Sequence, residues 1–263
     1  MSPKPQLIIT ADDLGYAHGN NAAISNGLAA GGITSASLMV PAPWAREFAS
    51  RYADQDIGVH LTLTSANPNY RFGPITQSPS LLGGDGGFPA DPTDLLEHAD
   101  LDEVARECRA QVERATIWGI RVSHLSVHDG SLLLRPEFFD IVLTLASEFS
   151  LPLRLLDGQE EASIGFPARQ LAEAEGIAIT QATVRTANPA VDFPKILANL
   201  APGSTEVILH PALNTPETKA LFSDVEQRAA TAAFIAQGQS LASLVESAGA
   251  SLVGWRSLMS PRA

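Results

Sequence analysis

Four short stretches of this 263-residue sequence end apolar runs with acids or histidines. In Thr10-Ala11-Asp12-Asp13-Leu14-Gly15, two adjacent carboxylates stand where a strand-like run gives way to a helical pattern. Such neighbours repel each other, and consecutive side chains on a strand diverge. A cation held by one acid, with the other taking a proton from water, would reward the arrangement. In Gly58-Val59-His60-Leu61-Thr62-Leu63, strand alternation puts His60 on the face of Gly58 and Thr62. In the stretch from Ser123 to Ser131, the same period places His124, Ser126 and His128 on one face, with His128 nearest the carboxyl end. In Glu206–Pro211, His210 ends an apolar run just before a proline that terminates regular pairing.

Each stretch alone has a plainer reading. The acids could cap a helix beside a polar turn, His60 could be a hydrogen-bonded core residue, and His210 could anchor a loop. Together they put acids and imidazoles at the ends of four strands, and two imidazoles with one carboxylate suit Zn²⁺ or another divalent ion.

The elements that must position these groups alternate in the βαβ manner of a parallel sheet. Strands are predicted at Gln6–Thr10, Ser35–Val40, Ile57–Leu63 and Val122–Val127, with weaker ones at Pro152–Leu155, Ile177–Thr180, Glu206–Leu209 and Ser251–Val253. Helical patterns cover Asn20–Ala30, Trp44–Arg51, Leu101–Trp118, Pro136–Phe149, Arg169–Glu175, Val191–Leu200, Glu217–Gln237 and Leu241–Ala248. Pro136 suits a first helical turn, and Gly31 and Gly119 suit helix ends. The expected fold is an α/β one: an irregular, TIM-like β/α barrel of seven or eight mostly parallel strands, formed by residues 1–263 as a single domain. An open doubly wound sheet is the second choice. Residues 64–98 break the rhythm with a Pro- and Gly-rich run. They follow the strand bearing His60, and with Tyr70 and Phe72 they are expected to form a substrate-covering loop.

Composition narrows the partners. Hydrophobic residues make up 45% and charged residues 17%, an ordinary globular balance. With 17 basic and 29 acidic side chains, the net charge of −12 disfavours nucleic acid and anionic membrane and favours a neutral or cationic substrate. Cys108 is the sole cysteine, so neither an intrachain disulfide nor CxxC chemistry is available. The opening MSPKPQLIITADDLG has too short an apolar run for a signal peptide, and no stretch approaches the ~20 residues of a membrane span. A cytoplasmic protein is expected; a homodimer is an allowed assembly.

The same residues resemble the YdjC/ChbG family of carbohydrate deacetylases, which includes the hopanoid-biosynthesis-associated deacetylases. The likeness runs from LIITADDLGYAHGNNAAI through GVHLTLT, ARECRAQVERATIWGIRVSHLSVHDGSL, RPEFFDIVLTLASEFSLPLRL and EVILHPA to GASLVGWRSL. It implies one divalent metal, Zn or Mg, held by Asp13, His60 and His128, with Asp12 as general base. His210 would be the proton donor or oxyanion stabiliser near the reacting carbonyl. Arg154 and Arg228 are candidates for holding substrate or fixing Asp12. The family often carries Asp two residues before the metal-binding histidine, in a T-H-x-D-S-H pattern; here Ser126 stands there, and strand alternation aims Asp129 at the opposite face. Loss of a group that orients a ligand typically costs about 10–100-fold in metal affinity or activity.

The expected reaction is hydrolysis of an N-acetyl group from a small amino sugar or short oligosaccharide. Two rivals remain: a barrel phosphoesterase, distinguished by two bound ions per chain, and a sugar-binding relative without catalysis, distinguished by the absence of acetate release.

Overall fold

Strand β1 (Gln6–Leu14) sets the pattern of the molecule. Leu7, Ile9 and Ala11 enter the apolar cluster under the helices, while Thr10 and Asp12 meet polar partners inside the sheet's curve. The computed structural model describes residues 4–49, 51–52, 54–65 and 67–259. Beyond β1, the strands are β2 (Ser35–Leu38), β3 (Ile57–Leu61), β4 (Leu125–Val127), β5 (Ala182–Arg185), β6 (Ser204–Leu209) and β7 (Ser251–Leu252). The order β4-β3-β2-β1-β6-β5 is parallel throughout and curls into a half-barrel. β7 pairs with Gln6 and Leu7, below the stretch that β2 takes from Thr10 onward.

Between β4 and β5 the wall is thin. The expected strand at Pro152–Leu155 is reduced to one bridge between Leu153 and Leu125, and that at Ile177–Thr180 to a bond from the Leu153 amide to the Ala178 carbonyl. Regular pairing resumes only at β5, where Thr183 and Val184 lie against Glu206 and Val207. The fold is thus the irregular β/α barrel expected, with seven strands in its sheet.

Helices cover the outside. Pro136–Phe149 forms as expected, with proline in its first turn, and buries Phe138, Phe139, Val142, Leu143, Leu145 and Ala146. Truncating the fully buried Phe139 to Ala would cost about 3–5 kcal/mol. Leu101–Ile117 is capped by Asp100, whose side chain accepts the Glu103 amide, and Cys108 is buried on its inner face. The pattern at Glu217–Gln237 instead yields two helices, Pro216–Leu221 and Val225–Ile235. The break releases Phe222 to pack on Tyr16 and to lie under the Arg228 guanidinium. The expected helix at 44–51 is Ala45–Ala49, and residue 50 lies outside the described residues. No helix among the described residues is long and apolar enough to cross a membrane.

The C-terminal segment crosses the barrel floor. The Val253 amide donates to the Leu7 carbonyl, and Trp255, fully buried, stacks on His124 with ring centres 4.7 Å apart. Gly58 makes room for that stack, since a Cβ there would come within 2.3 Å of the His124 ring.

Candidate metal centre and its cleft

β1 does not keep its pleat to the end. Its register with β2 shifts between Ala11 and Leu14, and Asp13 takes φ 63°, the left-handed region that aspartate tolerates better than most residues. Consecutive side chains therefore no longer diverge, and Asp12 and Asp13 face one cleft. Gly15, at φ 90°, completes the turn: a Cβ there would lie 2.8 Å from Ala45 Cα.

Each acid is held by one arginine. Asp12 Oδ2 accepts from Arg154 Nη1 at 2.6 Å, and Asp13 Oδ2 accepts from Arg228 Nη1 at 2.8 Å. Asp12 Oδ1 is buried and has no hydrogen-bond partner among the described residues. His60 Nδ1 lies 2.8 Å from Ser126 Oγ, and its Nε2 is 3.8 Å from Asp12 Oδ2. His128 turns Nδ1 toward Asp13 Oδ1 at 3.9 Å. One ligand atom each from Asp13, His60 and His128 lies within 4.8 Å of the others. Two donors at about 2.1 Å from a shared ion can be at most about 4.2 Å apart, so the set would have to draw in to share one.

Charge states suit that use. Burial opposes ionisation of Asp12, but Arg154, with His60 and His210, overrides it and holds the carboxyl well below the usual range. Burial likewise opposes ionisation of Asp13, and His210 and Arg228 bring it down to about 2. Burial pushes His60 down to about 4 against the pull of Asp12. At neutral pH the acids are anionic and His60 is neutral, the states in which they bind cations.

The cleft, of about 420 Å³, also presents His210, just past the end of β6. An adjoining hollow of about 350 Å³ shares His210, Arg185 and Arg228 with it. Arg154 is only 4% exposed and is spent on Asp12 and on Glu206. Arg228 is divided between Asp13 and Asp224 over the Phe222 ring.

None of the described residues of 64–98 lines this cleft. Tyr70 and Phe72 instead join Tyr16 and Phe88 in an aromatic cluster, and the Tyr70 hydroxyl donates to the Tyr16 carbonyl. Glu107 accepts the Ile75 and Thr76 amides and Glu103 the Ser80 amide, so the segment is fastened down; Ala66 lies outside the described residues. Thr64, at its start, donates to Asp129.

Asp129 does not face away from the cleft as strand alternation predicts. Strand pairing stops at Val127, Asp129 takes φ 54°, and its carboxylate enters the cleft 3.4 Å from His128 Nε2. Glu206 and Trp255, which have no role in the expected site, meet beneath Asp12. The signal for Glu206 was present, since it is an acid inside an apolar strand on the same face as His210.

A parallel half-barrel gathering two aspartates and two histidines at the carboxyl ends of its strands defines a barrel protein with a candidate metal centre. The chain belongs to the YdjC-like family, whose model, YdjC-like protein, matches residues 6–247. A carbohydrate deacetylase of Thermus thermophilus is 35% identical over 224 residues, covering 82% of this chain and 80% of its own. A chitooligosaccharide deacetylase of Yersinia pestis (strain Pestoides F) is 32% identical over 158 residues, 57% of this chain and 58% of its own. Among solved structures, a protein of Enterococcus faecalis V583 assigned provisionally to cellobiose-phosphate cleavage superposes with a TM-score of 0.82. It is 23% identical, covering 98% of this chain and 100% of that one, a likeness of fold.

Proposed function

We propose that this chain hydrolyses the N-acetyl group of a small amino sugar or short oligosaccharide with one bound divalent ion. The deacetylase names of its relatives support the reaction class. The observation that carries the mechanism is Asp12, which lines one cleft with Asp13, His60 and His128 and has one oxygen fixed by Arg154 and the other unpaired. Two imidazoles and a carboxylate suit Zn²⁺ better than Mg²⁺, which prefers oxygen ligands.

Asp13, His60 and His128 would hold the ion, which supplies a water of lowered pKa and polarises the acetyl carbonyl. Asp12 takes the proton as water attacks the carbonyl carbon. His210, protonated, donates to the nitrogen as the C–N bond breaks, releasing acetate and a free amine. Arg154 keeps Asp12 ionised and oriented, and Arg228 does the same for Asp13.

The test is acetate release from a panel of N-acetylated sugars by stripped protein given Zn²⁺, Mg²⁺, Mn²⁺ or Co²⁺. Asp12→Asn should lower turnover about 10²–10⁴-fold with metal content intact, and His128→Ala should lose the metal. No release from any sugar by metal-loaded wild type would reject the deacetylase reading, and two ions per chain would favour a phosphoesterase.

A further inference from the structure

Beneath Asp12, Arg154 leads to further polar groups to which the reaction as written gives no part. Arg154 Nη1 holds Asp12 Oδ2, while its Nε donates to both oxygens of Glu206 at 3.0 and 2.9 Å and its Nη2 to Oε1 at 2.7 Å. Glu206 Oε1 also accepts from Thr10 Oγ1 at 2.7 Å and from the Trp255 indole Nε1 at 3.1 Å. Trp255 and Glu206 are fully buried, and Arg154 and Asp12 are 4% and 3% exposed. Trp255 is in turn fixed by its stack on His124 over the gap at Gly58.

Burying two carboxylates against one guanidinium is a poor way to gain stability, because desolvation offsets the attraction and apolar replacements of such groups are often at least as stable. The arrangement does achieve something else. It ties up the Arg154 donors so that the guanidinium has one orientation, and that orientation fixes Asp12 Oδ2 and leaves Oδ1 as the unpaired oxygen of a carboxylate that lines the cleft. We infer that Glu206 and Trp255 are positioning residues: the C-terminal segment, through Trp255, Glu206 and Arg154, aims the Asp12 carboxylate. This rests on the reading of Asp12 as the base.

The experiment compares full-length, metal-loaded wild type with Glu206→Gln, Trp255→Phe and the double variant on an N-acetylated sugar that the wild type hydrolyses. Glu206→Gln should lower kcat at least 10-fold with KM and metal content unchanged. Trp255→Phe should lower it less, and the double variant should fall no further than Glu206→Gln alone. Unchanged kcat in Glu206→Gln, or effects of the two variants that simply multiply, would overturn the relay. Denaturant unfolding of Glu206→Gln, Asp12→Asn and their combination supplies a second reading that needs no activity. Shared dependence on Arg154 predicts at least about twofold non-additivity in the unfolding equilibrium constant. Additive unfolding effects would reject the relay even if wild type released no acetate, an outcome that by itself rejects only the deacetylase reading.

Discussion

Ser126 Oγ is the hydrogen-bond partner of His60 Nδ1, and that contact leaves Nε2 as the nitrogen turned toward the acids. A hydroxyl thus performs the orienting task for which many relatives are expected to use a carboxylate. Ser126→Ala should weaken Zn²⁺ binding about 10–100-fold, read by chelator competition; an unchanged affinity would remove Ser126 from the centre. His124 offers a second prediction, away from the proposed ligands. Burial, reinforced by Arg154, pushes its imidazole well below the ordinary 6.5, so the native state keeps it neutral while the unfolded chain takes up a proton. The stability this neutrality allows is complete above about pH 6.5 and is lost as the pH falls below it, at about 1.4 kcal/mol per pH unit for each proton. Chemical unfolding of metal-free wild type and His124→Gln between pH 6.5 and 5 should show the variant with the flatter slope; parallel slopes would count against a buried neutral His124. At this scale the sequence made the acids and histidines visible by type and strand position. The bend at Asp13 and the return of Asp129 to the cleft were hidden, because each follows from a backbone departure that no side-chain periodicity records, and the division of Asp12's oxygens was hidden because it depends on Arg154, 142 positions away.

Elements with long, one-sided apolar patterns were legible. The helix at Pro136–Phe149 and the starts of β1, β3 and β6 follow from their burial alone, close to the expected bounds. Elements with short patterns were not. Pro152–Leu155 and Ile177–Thr180 have apolar residues enough to be buried, yet the first makes one bridge and the second one bond to Leu153, and pairing moves on to the more polar 182–185. The helix expected at Glu217–Gln237 breaks without glycine or an internal proline, and Phe222 at the break packs against Tyr16, a tertiary contact that local pattern does not reveal. Residues 64–98 read by composition as a substrate-covering loop, and what composition did not show is that their anchors lie in a later helix, where Glu107 is fully buried. Glu107→Ala would leave the Ile75 and Thr76 amides without that partner, at about 1–3 kcal/mol for each group that stays unsatisfied. Limited proteolysis should then cut within 64–98 faster than in wild type while Zn²⁺ affinity is unchanged. Loss of metal along with that protection would show that the segment also shapes the cleft.

For the molecule as a whole, the barrel and its active end could be anticipated from the βα rhythm, since a parallel sheet places its loops and chemistry at the strands' carboxyl ends. The floor could not, because a lone tryptophan in a short segment carries no periodic signal of where it will dock. That topology has a consequence for how the chain is made. β1 meets Thr34 only 25 positions later, but Glu206 196 positions later and Trp255 245 positions later. At about 5–20 residues per second, one flank of the first strand waits roughly 10–50 s on the ribosome for its partners. A bare apolar strand edge is an invitation to foreign strands, and charge within it is the usual deterrent. The paired acids at its end are therefore on guard for the nascent chain long before there is a cleft for them to serve.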